Sequence, residues 1–395
     1  MPNISELENA LPVGPLKIIA LDSAANLGKS INDYLVTFRH NMQSSLHEDP
    51  AFRGYIEDDY IVKAACPRFG SGEGKGVLYE SVRGTDLYIL VDVTNHSLTY
   101  KMSGYINHKS PDDHYQDLKR MISAVGGKAK RITVIMPFLY EGRQHKRTGR
   151  ESLDCAYALK ELADMGVHNF ITFDAHDPRV QNAVPLCGFD NFTPFYQFMR
   201  ALLNNVDDLT IDKDHMMVIS PDEGALDRTT YFANVLGVNI GMFYKRRDYS
   251  VIVNGKNPIV AHEFLGDNIE GKDIIIIDDM ISSGGSMLDT SRQLKEMGAR
   301  RVFICTTFGL FTDGMDAFDK AYENGWFDKV ITTNLSYQIP ELLARPYYLE
   351  ADMSKFLASI IDFMNHNVSL NHVLTPTDKI HTILEHYNRR EAFEI

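Results

Sequence analysis

Short apolar runs punctuate the chain: KIIALD (17–22), LYILVDV (87–93), RITVIMPF (131–138), NFITFD (169–174), MMVIS (216–220), NIGMFY (239–244), DIIIID (273–278), RVFICTTF (301–308) and KVITTNL (329–335). Several are apolar at consecutive rather than alternate positions, the pattern of strands covered on both faces. Between them lie stretches with helical spacing, such as DDHYQDLKRMISAV (112–125), LDCAYALKELADMG (153–166), EGALDRTTYFANVLG (223–237) and SMLDTSRQLKEMG (286–298). This alternation predicts an α/β fold of mainly parallel sheets flanked by helices, with right-handed crossovers. Because the units continue on both sides of CGFDNFTP (187–194), a domain boundary is expected there, giving domains 1–187 and 188–366. The remainder, 367–395, contains DKIHTILEHYNRREAFEI, which reads as one amphipathic helix: an appendage or an oligomer contact.

The chain has 395 residues, 44% hydrophobic and 24% charged, enough for two cores. A formal net charge of −13 disfavours general affinity for nucleic acid or an anionic membrane, but leaves room for a local basic pocket that takes a small polyanion. Cys66, Cys155, Cys187 and Cys305 form no CxxC pair, so neither a zinc site nor a disulfide framework is expected, and a reducing cytoplasm fits best. No run of roughly 18 apolar residues occurs, and MPNISELENALPVGPLK lacks a basic start with an apolar core behind it. Neither secretion nor membrane spanning is expected.

The segment IIIIDDMISSGGSMLD (274–289) is where a buried strand hands over to a helix. Ligands of open α/β sheets bind beyond the carboxyl ends of strands. A Ser-Ser-Gly-Gly-Ser turn can aim backbone N–H groups and hydroxyls at one point, glycine permits close approach and positive φ, and the helix N-terminus adds partial positive charge. Ser282, Ser283, Gly284, Gly285 and Ser286 therefore read as a phosphate cradle. Asp278 and Asp279 beside it are suited to accept hydrogen bonds from vicinal hydroxyls, so the pair and the cradle together suit ribose 5-phosphate. A solvated acidic turn capped by Ser282 or Ser283 is the plainer alternative.

Other clusters supply complementary chemistry. The loop in MPFLYEGRQHKRTGRES (136–152) carries Arg143, Gln144, His145, Lys146, Arg147 and Arg150, a collection of donors and cations of the kind a nucleoside triphosphate requires. His176 lies between Asp174 and Asp177 after a strand, and Asp222 follows another strand in VISPDEGALDR (218–228). In FYKRRD (243–248), Lys245 and Arg247 stand two apart at a strand end, where alternation would send both side chains to one side. Such cations suit charge that builds on phosphoryl oxygens in a transition state.

Segment 274–289 resembles the phosphoribosyl-diphosphate loop of phosphoribosyltransferases and ribose-phosphate diphosphokinases (phosphoribosyl pyrophosphate synthetases). In the usual pattern an aspartate stands where Ser282 does, and threonines stand at the other hydroxyl positions. RFGSGEGKGVLYESVRGTDLYIL (68–90) is similar to the synthetase segment in which a phenylalanine packs on adenine with a glutamate nearby, matching Phe69 and Glu73. The order ESVRG, RQ, DxH, SPDxG, KRR and DD…GGS resembles the synthetases over roughly residues 15–365. The resemblance implies two phosphoribosyltransferase-like domains and transfer of the diphosphoryl group of Mg-ATP to ribose 5-phosphate. It implies Phe69, Glu73, Arg143, Gln144 and His145 at ATP, His176 and Asp222 at Mg2+, Lys245 and Arg247 in catalysis, and Asp278, Asp279 and residues 282–286 at the ribose phosphate. It also implies a homo-oligomer, a dimer or a hexamer. Insertions near 41–59 and 97–110 depart from the compact pattern. With Ser282 they keep open another acceptor such as ADP-ribose, or a catalytically weak regulatory subunit. A phosphoribosyltransferase is disfavoured, since the ATP-side motifs would have no purpose.

Overall fold

Runs of consecutive apolar residues become parallel strands in the computed structural model, which describes residues 7, 10–42, 52–247, 259–371 and 376–389. The chain separates into two units: 1–193 with 334–337 and 352–375, and 194–333 with 338–351 and 376–395. In the first, strand β1 (Leu16–Ala20) leads to helix α1 (Ala25–Asn41), and the short strands β2 (Ala64–Ala65) and β3 (Val77–Leu78) form a separate pair. Next come β4 (Asp86–Leu90), the hairpin β5 (Thr99–Met102) and β6 (Tyr105–His108), and α2 (Pro111–Val125). They are followed by β7 (Arg131–Ile135), α3 (Asp154–Asp164), β8 (Asn169–Phe173) and β9 (Gly188–Phe192). The main sheet has the order β1-β4-β7-β8-β9, parallel at every pairing. Helix α2 starts where Ser110 caps the Asp113 N–H, Asp113 returns the bond to Ser110, and Pro111 occupies the first turn.

The second unit runs through α4 (Phe195–Asn205), β10 (Met216–Ser220), α5 (Leu226–Leu236), β11 (Asn239–Arg247), β12 (Ile259–Leu265), β13 (Asp273–Ile281) and α6 (Gly285–Glu296). It continues with β14 (Arg301–Gly309), α7 (Asp316–Glu323), β15 (Lys329–Thr333), α8 (Pro340–Leu343) and β16 (Tyr348–Ala351). Its sheet has the order β12-β11-β10-β13-β14-β15-β16, and only the β11–β12 pairing is antiparallel. The isoleucine run explains itself here. Ile275 and Ile277 enter the core on one face of β13 while Ile274 and Ile276 enter the core on the other.

Three expectations about organisation meet a different arrangement. The units part at 193/194, within CGFDNFTP, and residues 188–192, expected to open the second domain, are edge strand β9 of the first unit, too polar to stand out as an apolar run. Helix α9 (Ser354–Asn365) belongs to the first unit, although sequence order grouped it with the second domain. Helix α10 (Thr377–Arg389) covers the second unit's core, with Ile380 fully buried, His381 Nε2 at 2.9 Å from the Val235 carbonyl and Tyr387 accepting the Leu209 N–H. A helix's apolar stripe reveals that it packs; it does not reveal on what.

Helix α9 is fastened by a buried cation. Arg39 donates from Nε and Nη2 to Asp362 Oδ1 at 3.0 and 2.9 Å and from Nη2 to Asn365 Oδ1 at 2.7 Å, while its guanidinium lies 4.4 Å from the Tyr55 ring centre. Asn365 donates in turn to Asp86, which Arg131 grips through two bonds of 2.7 Å. The excursion 334–337 is held by Asp92, whose Oδ2 accepts the Tyr337 N–H at 2.6 Å; burial lifts this carboxylic acid to about 6. Removing one partner of a buried ion pair strands the other charge, so Asp362→Ala is expected to lose about 3–5 kcal/mol in equilibrium denaturation. A loss below about 1 kcal/mol would mean that Arg39 finds another counter-ion.

Candidate functional site

Strand order in the second unit reverses at β10. From it the chain proceeds outward to β11 and β12, then returns to the other side of β10 as β13 and continues outward to β16. At such a reversal the loops leave in opposite directions and open a crevice beyond the carboxyl ends of the two central strands. β10 ends in Ser220, followed by Pro221 and Asp222, and β13 ends in Asp278–Asp279–Met280–Ile281. The first unit's sheet follows chain order from edge to edge and has no reversal.

The two aspartates lie within the strand rather than after it. Asp279 is buried, and Arg228 from α5 reaches Asp278 Oδ1 at 2.7 Å and Asp279 Oδ1 at 3.4 Å. Asp278 Oδ1 also accepts the Asp279 N–H at 2.8 Å. Burial first, then the Asp279 charge, push Asp278 up to about 8, against the opposing pull of Arg228; Asp222 contributes to the same rise. Asp222 accepts the Gly224 N–H at 3.0 Å and so shapes the turn into α5.

Beyond Ile281 the cradle is supported by the neighbouring loop: Leu310 donates its N–H to Ile281 O at 2.9 Å and Thr312 to Ser282 O at 3.0 Å. Gly284 stands at the N-cap of α6 with φ +82°, and a Cβ there would collide with the Phe318 ring. Gly285 has open space where a side chain would be. No side chain caps α6 and no acidic residue lies in its first turn, so its leading N–H groups keep their positive potential. Ser283, Gly285 and Ser286 are exposed and Ser282 is half-buried. Ser282 to Ser286 are thus brought together with Asp278 and Asp279 on one strand–turn–helix.

Lys245 and Arg247 lie at the far end of β11, past its last pairing with β10 at Met242, in the segment that pairs with β12. A bulge between Arg246 and Arg247 interrupts the alternation on which a shared side was expected. Their side chains lie outside the described residues.

In the first unit, Phe69 and Glu73 close one tight turn: the Phe69 N–H donates to Glu73 O at 2.7 Å, and Ser71 Oγ donates to Glu73 Oε2 at 2.8 Å. Phe69 is 53% exposed, with Lys75 Nζ 5.9 Å from its ring centre. Arg143, Gln144 and His145 occupy the loop after β7. Arg143 is exposed, whereas Gln144 donates its amide to Ser152 O at 2.8 Å and holds the loop itself. His145 lies 5.5 Å from the exposed His176, ring centre to ring centre, and its Nε2 is 3.4 Å from Asp177 Oδ2. Hydrogen bonds from Arg179 hold Asp177 well below the carboxylate range. The Phe69 turn and the Arg143 loop share no hydrogen bond or ion pair among the described residues. His176 and Asp222, expected at one metal, are in separate units. Among the described residues no group of three or more His, Cys, Asp or Glu side chains is set to hold a metal ion. No described helix is long and apolar enough to cross a membrane.

Comparison with known proteins bears on both units. The N-terminal domain of ribose phosphate pyrophosphokinase matches residues 16–166, and the phosphoribosyl transferase domain matches residues 190–327. The ribose-phosphate pyrophosphokinase of Corynebacterium efficiens is 32% identical over 248 residues, covering 62% of this chain and 69% of that protein. The chain belongs to the ribose-phosphate pyrophosphokinase family. The relative in Vibrio parahaemolyticus is 29% identical over 342 residues, 85% of this chain and 97% of its own. The crystal structure of phosphoribosylpyrophosphate synthetase from Mycobacterium smegmatis has the same fold, with a TM-score of 0.67 and 22% identity over 89% of this chain and 99% of that one. The fold expected from the sequence, two phosphoribosyltransferase-like α/β domains, is the fold of this family of diphosphokinases.

Arg228 was legible only as a cation following SPDxG; its grip on both aspartates was not. The clue was spacing, since Asp222 and Arg228 are six residues apart across a strand exit and the first turn of α5. Two measurements follow. Because Asp278 has a higher pKa folded than unfolded, its contribution to stability is full below its ordinary value of 3.8 and is lost as pH rises through about 8. Denaturant titrations of Asp278→Asn against the parent from pH 4 to 9 should show that slope flattened; an unchanged slope refutes the assignment. Gly284→Ala should lose at least about 1–2 kcal/mol from the left-handed backbone alone, and full stability by the same titration would contradict the Phe318 collision.

Proposed function

We propose that the protein is a ribose-phosphate diphosphokinase in its own right. The anomeric hydroxyl of ribose 5-phosphate attacks the β-phosphorus of Mg-ATP, the bond between that phosphorus and the α,β-bridging oxygen breaks, and AMP leaves while the hydroxyl proton passes to solvent. The product is 5-phosphoribosyl 1-diphosphate. The observation carrying this reading is the strand–turn–helix at the reversal of the second sheet, where two carboxylates are followed by a left-handed glycine and an uncapped helix start.

Asp278 and Asp279 hold the ribose hydroxyls, and Ser282, Ser283, Gly284, Gly285 and Ser286 take the 5-phosphate through hydroxyls and backbone N–H groups. Phe69 receives adenine on its exposed face, with Glu73, Arg143, Gln144 and His145 completing the nucleotide contacts. Asp222 would offer Mg2+ a hard oxygen donor in the second unit, and His176 would be a donor beside the nucleotide in the first; such ions are commonly held by one or two carboxylates plus the substrate's phosphates. The ion screens phosphate charge and orients the transferring group. Lys245 and Arg247 neutralise charge that develops on the moving phosphoryl oxygens. Positioning and charge neutralisation suffice, and no covalent enzyme intermediate is invoked. The protein acts as a cytoplasmic homo-oligomer, a dimer or a hexamer.

A second reading keeps the chemistry and enlarges the acceptor to a derivative such as ADP-ribose. Ser282, where the family's pattern carries aspartate, motivates it: one carboxylate fewer surrounds the sugar. Incubation with Mg-ATP and each acceptor, following AMP by chromatography, decides between them. AMP and 5-phosphoribosyl 1-diphosphate in equal amounts are expected with ribose 5-phosphate; AMP only with ADP-ribose favours the second reading, and none with either leaves a regulatory subunit. Lys245→Ala should lower turnover on the order of 10²-fold with little change in ribose 5-phosphate affinity. Unchanged turnover removes Lys245 from the mechanism.

A further inference from the structure

The hairpin β5–β6 falls in the segment 97–110 that departs from the compact family pattern, and none of the proposed roles uses it. It is joined at its tip to the turn that carries Phe69. Ser103, with φ +50°, donates its N–H to Gly70 O at 2.9 Å. Met102 lies so close to Gly72 that a Cβ on that glycine would stand 2.7 Å from the Met102 sulfur. The Arg68 guanidinium, one residue before Phe69, sits 5.1 Å from the Tyr100 ring centre. Arg68 is anchored on its other side by Asp113 at 3.3 Å and Asp117 at 3.1 Å, both on α2.

These contacts share one geometry. Tyr100 and Met102 are two apart on β5 and so face the same side. That face meets Arg68 and Gly72, on either side of Phe69. The turn's internal support is thin: among the described residues its backbone bonds are those from Phe69 N–H to Glu73 O and from Gly72 N–H to Phe69 O, with the Arg68–Gly74 bridge at its base. Gly70, Gly72 and Gly74 give it wide conformational freedom, and each residue a ligand must order costs about 1–2 kcal/mol. A turn so rich in glycine gains order from whatever is packed against it.

We infer that the hairpin β5–β6 is a brace that pre-orders the Phe69–Glu73 turn and thereby sets the affinity for the nucleotide. The inference rests on the nucleotide role proposed for Phe69 and Glu73. Residues 99–108 are positioning residues and need not touch ATP. Leu98 O accepts the Lys109 N–H at 2.8 Å, so the hairpin is closed at its base and is removable. Replacing Thr99–His108 with a two-residue Asn-Gly turn preserves that bond as a β-turn.

The test compares the parent, this shortened protein and Met102→Ala, which keeps the hairpin but clears Gly72. Hydrogen exchange at the Phe69 and Gly72 amides is expected to run about tenfold faster in the shortened protein and to rise in Met102→Ala. The KM for ATP is expected to rise about tenfold in the shortened protein, with the KM for ribose 5-phosphate unchanged. Calorimetric titration with ADP should show the same loss without requiring turnover. Parental exchange rates in both variants overturn the brace. Faster exchange with unchanged ADP affinity and unchanged KM for ATP overturns its link to the nucleotide. A parent that releases no AMP yet binds ADP counts against the enzymatic reading alone, because the exchange and ADP comparisons still decide the brace.

Discussion

Two carboxylates on consecutive residues at the end of a buried strand would repel each other, and one guanidinium makes the arrangement tenable. Arg228 touches both Asp278 and Asp279, yet a single positive charge cannot satisfy two buried negatives, and Asp278 is left easier to protonate than a surface aspartate. The adjacent turn depends on this balance: β13 must run through both aspartates to Ile281 before Gly284 can turn the chain into α6. A carboxylate pair of this kind can accept hydrogen bonds from hydroxyl donors.

The two units present their candidate residues according to their topology. In the second, the sheet order reverses, and the candidate residues come from strand ends and one helix start. In the first, the strands run in chain order without a reversal, and the candidate residues are carried on loops and a turn outside the sheet: Phe69 and Glu73 on one, Arg143 to His145 on another, His176 after β8. Sites of the first kind inherit rigidity from the sheet. Sites of the second kind must be stiffened locally, as Gln144 does by bonding to its own loop and as Asp177 does through Arg179.

Legibility in the sequence followed the reach of the interactions. Isoleucines 274–277 declared a strand buried on both faces, and Gly284 declared a left-handed turn, because each of these signals is local. The helical stretch 112–125 showed itself for the same reason, whereas its cap by Ser110 was seen only in the fold. Edge strand β9 was placed in the second domain since GFDNF mixes polar and apolar residues and shows no strand run, and α9 was grouped with that domain because its fate is decided by Arg39, 323 positions away. At the site, residue types and order pointed to both substrates. The pairing of Arg228 with two aspartates and the bulge at Arg247 are tertiary facts with no local signature.

The buried Arg39 carries a consequence for biosynthesis. Its carboxylate partner, Asp362, comes late in the sequence, so until that residue is made the Arg39 guanidinium can only stay hydrated. Its sheet can assemble early, but its closing helix is made only after the whole second sheet. A chaperone meeting the nascent chain would find the first-made half waiting for the last-made one, and a ribosome that stalls between them would release a product with an open seam.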